Sequence, residues 1–414
     1  MSPTVVPTAR GEFAALVAGP AHSQAPVVLL VPGWTGSKED FLTLMPEVAR
    51  AGRRVVAIDQ RGQFETPGPE DPSAYTLDAL AEDLRAVAAS VSEKPVDLLG
   101  HSLGGLIAAT ASIQDPLAVN SLVMLCSGPG PLPVDRHPQL RGLERVLVES
   151  GLEAAWQVMR SHDRQVGVPA VPDDIEAWLY RRHLSGSRAA MLARTSLLRT
   201  APPLAGRLAQ VPVPVLVLSG ELDDGWPVQE QATLAAETGG EHQVMPVVGH
   251  SPAVEDPAGT AARLGVFWDR WLPGRTTLTL TLGPDTADVP RARREVRRTL
   301  ADYLGPGDLD DAELLTSELV SNGLVHATAP VRLRCSVRGR IVETIVSDSG
   351  PSDGSPTWPG REHHGRGLMI VDRVVRRWGW CSHPAGTSVW FWLPATQAAS
   401  RSSSAQGAAA GPAA

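Results

Sequence analysis

Val96-Asp97-Leu98-Leu99-Gly100-His101-Ser102-Leu103-Gly104-Gly105-Leu106-Ile107 is the stretch that decides how this chain folds. A short apolar run leads into a G-x-S-x-G pattern, and the residues from Gly105 to Thr110 read as the opening of a helix. A serine placed between a buried strand and a helix is held on a tight turn, with its hydroxyl exposed above the sheet. Such a turn leaves no room for side chains beside the nucleophile, which is why small residues flank it. The pattern alone is common; the strand–turn–helix context gives it weight.

Outward from this elbow, Val27–Val31, Val55–Ile58, Leu122–Leu125 and Val215–Leu218 are short, continuously apolar runs. They predict strands buried on both faces, as in a mostly parallel sheet covered by helices. Thr76–Ser90 and Pro227–Thr238 are amphipathic and predict covering helices. Between about 133 and 208 the rhythm breaks. Leu143–Met159, Asp173–Leu184 and Arg188–Leu198 carry helical patterns with no convincing strand, which predicts a helical cap. The expectation for residues 1–274 is a doubly wound α/β domain.

After Trp271-Leu272-Pro273-Gly274 the pattern changes. Thr276–Leu282 alternates polar and apolar residues with period two, as an antiparallel strand with one wet face does. A basic helix over Pro290–Tyr303, a second helix from about Asp308 to His326, and a hairpin of Val331–Val337 and Ile341–Val346 around Gly339 complete an α+β reading. The second domain is expected over 275–396 with almost no linker, and 397–414, rich in Ala, Ser and Gly, is expected to be disordered.

The 414 residues carry a formal net charge of −8, which argues against a nucleic-acid partner. Cys126, Cys335 and Cys381 lie far apart without metal-ligand spacing and read as free thiols of a reducing compartment. No signal peptide and no membrane-spanning run are expected, and a cytoplasmic location is the default.

A serine nucleophile needs a base, a group that orients the base, and donors for the oxyanion. Ser219-Gly220-Glu221-Leu222-Asp223-Asp224 follows one predicted strand and puts the carboxylates of Glu221, Asp223 and Asp224 in a post-strand loop. Gly249-His250-Ser251-Pro252 follows a strand expected around Val244–Val248. Both loops lie at the carboxyl ends of strands, where open α/β sheets gather catalytic groups. Ser102 would attack, His250 would take its proton, and the carboxylate would hold the imidazole.

This arrangement resembles the α/β-hydrolase fold family over roughly Phe13 to Leu272. The resemblance implies Asp223 as the acid, since Gly220, Asp223 and Pro227 match the family's G-x-x-D-x-x-x-P. It implies oxyanion donors in the N–H groups of Leu103 and Trp34, although Pro32-Gly33 stands where many members have His-Gly. Asp59-Gln60-Arg61-Gly62 resembles the family's D-x-R-G turn. The implied reaction is cofactor-free hydrolysis of a small apolar ester, less readily an amide, through an acyl-enzyme. Haloperoxidase-like activity is an alternative, while a serine at the elbow disfavours epoxide hydrolase or dehalogenase chemistry. His101 reads as a packing residue, and His162 and His183 as surface or pocket-lining residues of the cap. Trp156, Met159, Trp178 and Met191 read as core, with some lining an acyl pocket if the cap covers the elbow.

Glu318, Asn322 and His326 are four apart and form one polar stripe on the second domain's long helix. An Asn beside a Glu suits Mg²⁺ held mainly by phosphates. Ser347-Asp348-Ser349-Gly350 ends a strand, and His364-Gly365-Arg366-Gly367-Leu368 opens a helix, where backbone N–H groups approach phosphates. In order, these pieces resemble the ATP-binding α+β sandwich of gyrase and histidine kinases (GHKL or Bergerat type), over roughly Thr276 to Pro394. The nearest likeness is to bacterial anti-sigma-factor serine kinases. The resemblance implies ATP and Mg²⁺ as cofactors, with Asn322 ligating the metal and Asp348 bonding the adenine amino group. Gly350, Gly365 and Gly367 would border the nucleotide, Thr387 would support its adenine end, and Glu318 would be the general base. It also implies a lid over 351–364 and a protein partner such as an anti-anti-sigma-like regulator or a sigma factor. A sensor histidine kinase is disfavoured by the lack of a dimerisation helix pair with a phosphoacceptor histidine. The expectation is a bifunctional fusion of serine hydrolase and ATP-dependent kinase. The alternative is a regulatory protein whose hydrolase half senses a small molecule and tunes the other half or a sigma-factor regulator.

Overall fold

Continuously apolar segments form the middle of one sheet and period-two segments form a second, separate one. The structure is a computed structural model that describes residues 1–168, 170–272, 276–283, 287–326, 330–348, 375, 377–383 and 386–395. Its contacts divide the chain into Met1–Asp269 and Arg270–Ala414.

The first unit holds eight strands: β1 (Ser2–Thr8), β2 (Gly11–Ala18), β3 (Val28–Val31), β4 (Val55–Ile58), β5 (Val96–His101), β6 (Val119–Leu125), β7 (Val215–Gly220) and β8 (Glu241–Met245). Their order is β1-β2-β4-β3-β5-β6-β7-β8. From β4 to β8 every pairing is parallel, whereas β1–β2 and β2–β4 are antiparallel. All residues of β3, β4, β6 and β7 are buried, as two-sided burial requires. The β1–β2 hairpin was not expected. Its first strand carries Pro3 and Pro7, which a strand tolerates at the sheet edge, where β1 lies. β8 starts earlier than the sequence predicts and stops at Met245, because Val247 has a left-handed backbone with φ 64° that ends the extended run.

Helices α1 (Leu44–Arg50), α2 (Leu77–Val91) and α3 (Leu103–Gln114) follow strands β3, β4 and β5. The cap consists of α4 (His137–Gln165), α5 (Asp173–Ser185) and α6 (Arg188–Thr200), with α4 broken at Gly151, φ 82°. Then come α7 (Ala205–Leu208), α8 (Val228–Glu237), α9 (Pro252–Glu255) and α10 (Pro257–Arg270). Leu143, Leu147 and Ala155 of α4 pack with Met191 of α6, and Trp34 and Met159 pack against this cluster. Trp34 also donates from Nε1 to Thr195 Oγ1 at 3.0 Å. The cap is thereby seated on the loop after β3. A buried Lys38 fixes the same loop, with Nζ 2.7 Å from Asp59 and 2.6 Å from Glu65.

The second unit comprises β9 (Thr276–Leu282), α11 (Asp288–Leu300), α12 (Pro306–His326), β10 (Val331–Arg338), β11 (Ile341–Ser347), β12 (Arg377–His383) and β13 (Gly386–Pro394). The sheet order is β12-β13-β11-β10-β9, antiparallel throughout. Leu278, Leu282, Leu333, Val346 and Phe391 share a core with Val296 and Leu300 of α11 and Leu315 and Leu319 of α12. This is the two-layer α+β sandwich that the alternating pattern predicts. The hairpin turns at Gly339, whose φ of 56° favours glycine. The expected lid at 351–364, the helix start at Gly365 and Gly367, Gly350, and the tail 397–414 lie outside the described residues. Among the described residues no helix is long and apolar enough to cross a membrane.

Candidate active site

Ser102 leaves β5 at φ 54°, ψ −124° and caps α3. Two glycines allow the turn. A Cβ on Gly100 would lie 2.1 Å from the Gly104 carbonyl oxygen, and one on Gly104 would lie 2.5 Å from the carbonyl oxygens of both Val31 and Pro32. Backbone strain of this kind persists only where surrounding packing holds it. Here β5 is flanked by β3 and β6.

The loops after β7 and β8 bring Asp223 and His250 together, with His250 Nδ1 2.6 Å from Asp223 Oδ1. The carboxylate also accepts the Gly225 N–H at 2.8 Å and Gln231 Nε2 at 2.7 Å. Burial works to raise the Asp223 carboxyl, but the bonds and charge of its partners hold it below the usual range. Burial likewise pulls His250 down, and the bond to Asp223 outweighs it and raises the imidazole above its ordinary value. Asp224 keeps an exposed side chain, and its backbone carbonyl accepts from Arg136. Cys126 lies beside the pair, with donor atoms of Cys126, Asp223 and His250 all within 4.8 Å. Burial, with Asp223's charge, pushes its thiol up, so it keeps its proton and is a poor metal ligand.

His101 is engaged in positioning. Its Nε2 donates to the His250 carbonyl oxygen at 2.7 Å, tying the elbow strand to the histidine loop. Burial and the neighbouring His250 hold it at about 4, so it is neutral at pH 7. The loop after β3 is braced from below: Gln60 Nε2 donates to Pro32 O at 2.6 Å and Gln63 Nε2 to Gly33 O at 2.7 Å. Among the described residues the N–H groups of Trp34 and Leu103 have no acceptor.

Ser102 and His250 line two cavities. One, of about 810 Å³, lies under the cap, between Trp156, Met159, His162, His183, Leu140 and Leu143 among others. The other, of about 260 Å³, lies between Gly33, Phe41, His101 and Val254. Trp156, Met159, His162 and His183 therefore line the larger space, whereas Met191 is core. Trp178 does neither; it meets Phe64 edge to face and lies under the guanidinium of Arg182.

In the second unit Asp348 and Thr387 are brought together. Asp348 Oδ1 accepts the Thr387 N–H at 2.8 Å, and the Asp348 N–H donates to the Thr387 carbonyl at 2.9 Å. Gly386 makes this possible, since a Cβ there would lie 2.2 Å from the Asp348 carbonyl oxygen and its φ is 138°. Glu318 and Asn322 are half-buried on α12, which packs on β10, β11 and β13. The side chain of His326 and residues Gly350, Gly365 and Gly367 lie outside the described ones.

The family model described as Alpha/beta hydrolase family matches residues 28–263. The chain belongs to the alpha/beta hydrolase family. A second model, Histidine kinase-like ATPase domain, matches residues 282–393 of the same hydrolase. A Bacillus subtilis protein that carries the name 2-succinyl-6-hydroxy-2,4-cyclohexadiene-1-carboxylate synthase is 26% identical over 248 residues, 58% of this chain and 88% of that protein. A proline iminopeptidase of Lactobacillus helveticus is 26% identical over 168 residues, 40% of this chain and about half, 49%, of that enzyme. The structure of an esterase from Rhodococcus sp. ECU1013 superposes with a TM-score of 0.55 at 22% identity, covering 66% of this chain and all (100%) of that one. At that identity the likeness speaks for the fold.

Gln60, Gln63 and Gln231 are residues that sequence reasoning missed. Gln231 left a signal: with Leu234 and Ala235 at i+3 and i+4 it belongs to the buried stripe of α8, where a polar side chain needs partners.

Proposed function

We propose that the first unit hydrolyses carboxylic esters through Ser102, His250 and Asp223. The observation that carries this is the 2.6 Å His250–Asp223 bond beside a cavity that Ser102 also lines. With Nδ1–H committed to Asp223, His250 offers Nε2 to the proton of Ser102. The alkoxide attacks the ester carbonyl, and the N–H groups of Trp34 and Leu103 receive the oxyanion. His250 then protonates the leaving alcohol, and water releases the acid by the same steps in reverse. Apolar cap residues around the larger cavity accept the body of the ester. The esterase from Rhodococcus sp. ECU1013, which shares this fold, accords with this chemistry.

The second unit is read as an ATP and Mg²⁺ module of the anti-sigma-factor kinase type, acting on a hydroxyl of a partner regulator. Asn322 would hold the metal and Glu318 would act as base. Asp348, oriented by Thr387, would meet the adenine amino group. The family match over 282–393 and the Asp348–Thr387 bond support ATP binding; the kinase activity rests on the resemblance. Ser102→Ala should abolish turnover of a short-chain chromogenic ester and leave ATP binding intact. Asn322→Ala should weaken Mg²⁺-dependent ATP binding. Persistent esterase activity in the first variant, or unchanged affinity in the second, would defeat the corresponding half.

A further inference from the structure

The cavity at Ser102 carries more positive charge than an apolar ester requires. Arg136, Arg145, Arg160 and Arg182 line it against Asp163 and Asp224. Arg160 is spent on Glu176 and Asp163, to which it is hydrogen-bonded. Arg145 has no carboxylate partner among the described residues, and Arg136 gives one nitrogen to the Asp224 carbonyl.

Arg182 is the informative one. Like Ser102 and His250, it borders both cavities. Its Nη1 donates to Asp40 Oδ1 at 2.6 Å and Ser37 Oγ at 3.2 Å, and its guanidinium lies 4.9 Å over the ring of Trp178. The side chain is thus held in one orientation and is only 11% exposed. Its other edge, Nε and Nη2, has no protein acceptor among the described residues. That edge is the one that grips a carboxylate with two parallel bonds. With that edge uncommitted and Nη1 fixed by Asp40 and Ser37, a carboxylate entering either cavity can take the two free donors.

We infer that Arg182 binds an anionic group of the substrate, so that the preferred ester carries a carboxylate alongside its apolar body, with Arg136 and Arg145 drawing it into the larger cavity. This rests on the ester-hydrolase reading of Ser102 and names its substrate class. Asp40 is a positioning residue for Arg182.

The test compares matched pairs with the full chain. Monoethyl glutarate is set against ethyl pentanoate for an anion on the acyl side, and 4-acetoxybenzoate against 4-acetoxybenzamide for one on the leaving group. The charged member of at least one pair should have the higher kcat/KM by about tenfold or more, mainly through KM. Raising ionic strength should shrink that ratio in the wild type, which needs no variant to fold. Arg182→Gln should cut the ratio at least tenfold, with partial recovery in Arg182→Lys. Ratios at or below one in both pairs, a ratio indifferent to salt, or the same ratio in Arg182→Gln would overturn the inference. Calorimetric titration of glutarate into wild type and Arg182→Gln separates the two readings. Glutarate binding that depends on Arg182, without turnover of any ester, would refute ester hydrolysis and leave the anion site standing. Absence of binding with neutral esters still hydrolysed would do the reverse.

Discussion

Gln231→Met tests how the acid of the site is held. Gln231 is 0% exposed and makes three bonds: Nε2 to Asp223 Oδ2 at 2.7 Å and to Trp226 O at 2.9 Å, and Oε1 from Ser219 Oγ at 2.8 Å. Methionine keeps the volume and removes all three. The bond to the carboxylate is worth about 1.5–3 kcal/mol, and each neutral bond about 1 kcal/mol. Ser219 retains His242 Nε2 at 2.9 Å, which limits the loss on that side. A net destabilisation of about 3 kcal/mol follows, or about 1 M in urea midpoint at an m-value near 3 kcal/mol/M. The pH dependence has a definite sign. Asp223 titrates lower in the folded protein than in the unfolded chain, so its partners stabilise the fold above the ordinary Asp range. That contribution is lost as pH falls through the folded value. The gap between wild type and variant should therefore be widest at neutral pH and narrow in acid. Ester turnover should fall about tenfold, because Asp223 loses an anchor on the oxygen away from His250. Urea unfolding at several pH values and kcat on one ester supply the readout. An unchanged midpoint together with unchanged kcat would refute the reasoning.

Three further perturbations act elsewhere in the molecule. Asp223→Asn should lower kcat about 10⁴-fold and move the acid limb of the pH profile downward, since it removes what raises His250; a limb that stays in place would contradict the assigned partner. Lys38→Met leaves Asp59 buried without its cation and should cost about 3–5 kcal/mol, read by chemical denaturation. A variant as stable as wild type would show that the cluster does not brace the loop after β3. Gly386→Ala, which places a methyl against the Asp348 carbonyl, should weaken binding of a fluorescent ATP analogue about tenfold or more. Equal affinity would separate Asp348 from nucleotide recognition.

The central strands were legible because two-sided burial writes itself as uninterrupted Val, Leu and Ile, as in Val28–Val31 and Val55–Ile58. The elbow was legible because Gly100 and Gly104 have no substitute there. The β1–β2 hairpin was not, since an edge strand with two prolines looks like loop until its partner is known. The same holds for β12, whose Arg377–His383 run is short, is interrupted by Gly379 between Trp378 and Trp380, and ends on the polar Ser382 and His383. Ser102, Asp223 and His250 could be named from their loops, but the groups that hold them could not. Gln60, Gln63 and Gln231 bond across 28, 30 and 8 residues of sequence. Arg182 reads in α5 as one more surface cation, and only the folded cap brings it to the two cavities that Ser102 lines.

The proposed ester hydrolysis depends on Ser102 as a nucleophile activated by His250. That activation is measured most directly by peptide mass spectrometry of the full chain after treatment with a fluorophosphonate. One adduct is expected, on the peptide containing Ser102, absent in Ser102→Ala and much slowed in His250→Ala. An adduct that survives in Ser102→Ala, or no adduct at all on wild type, would contradict it.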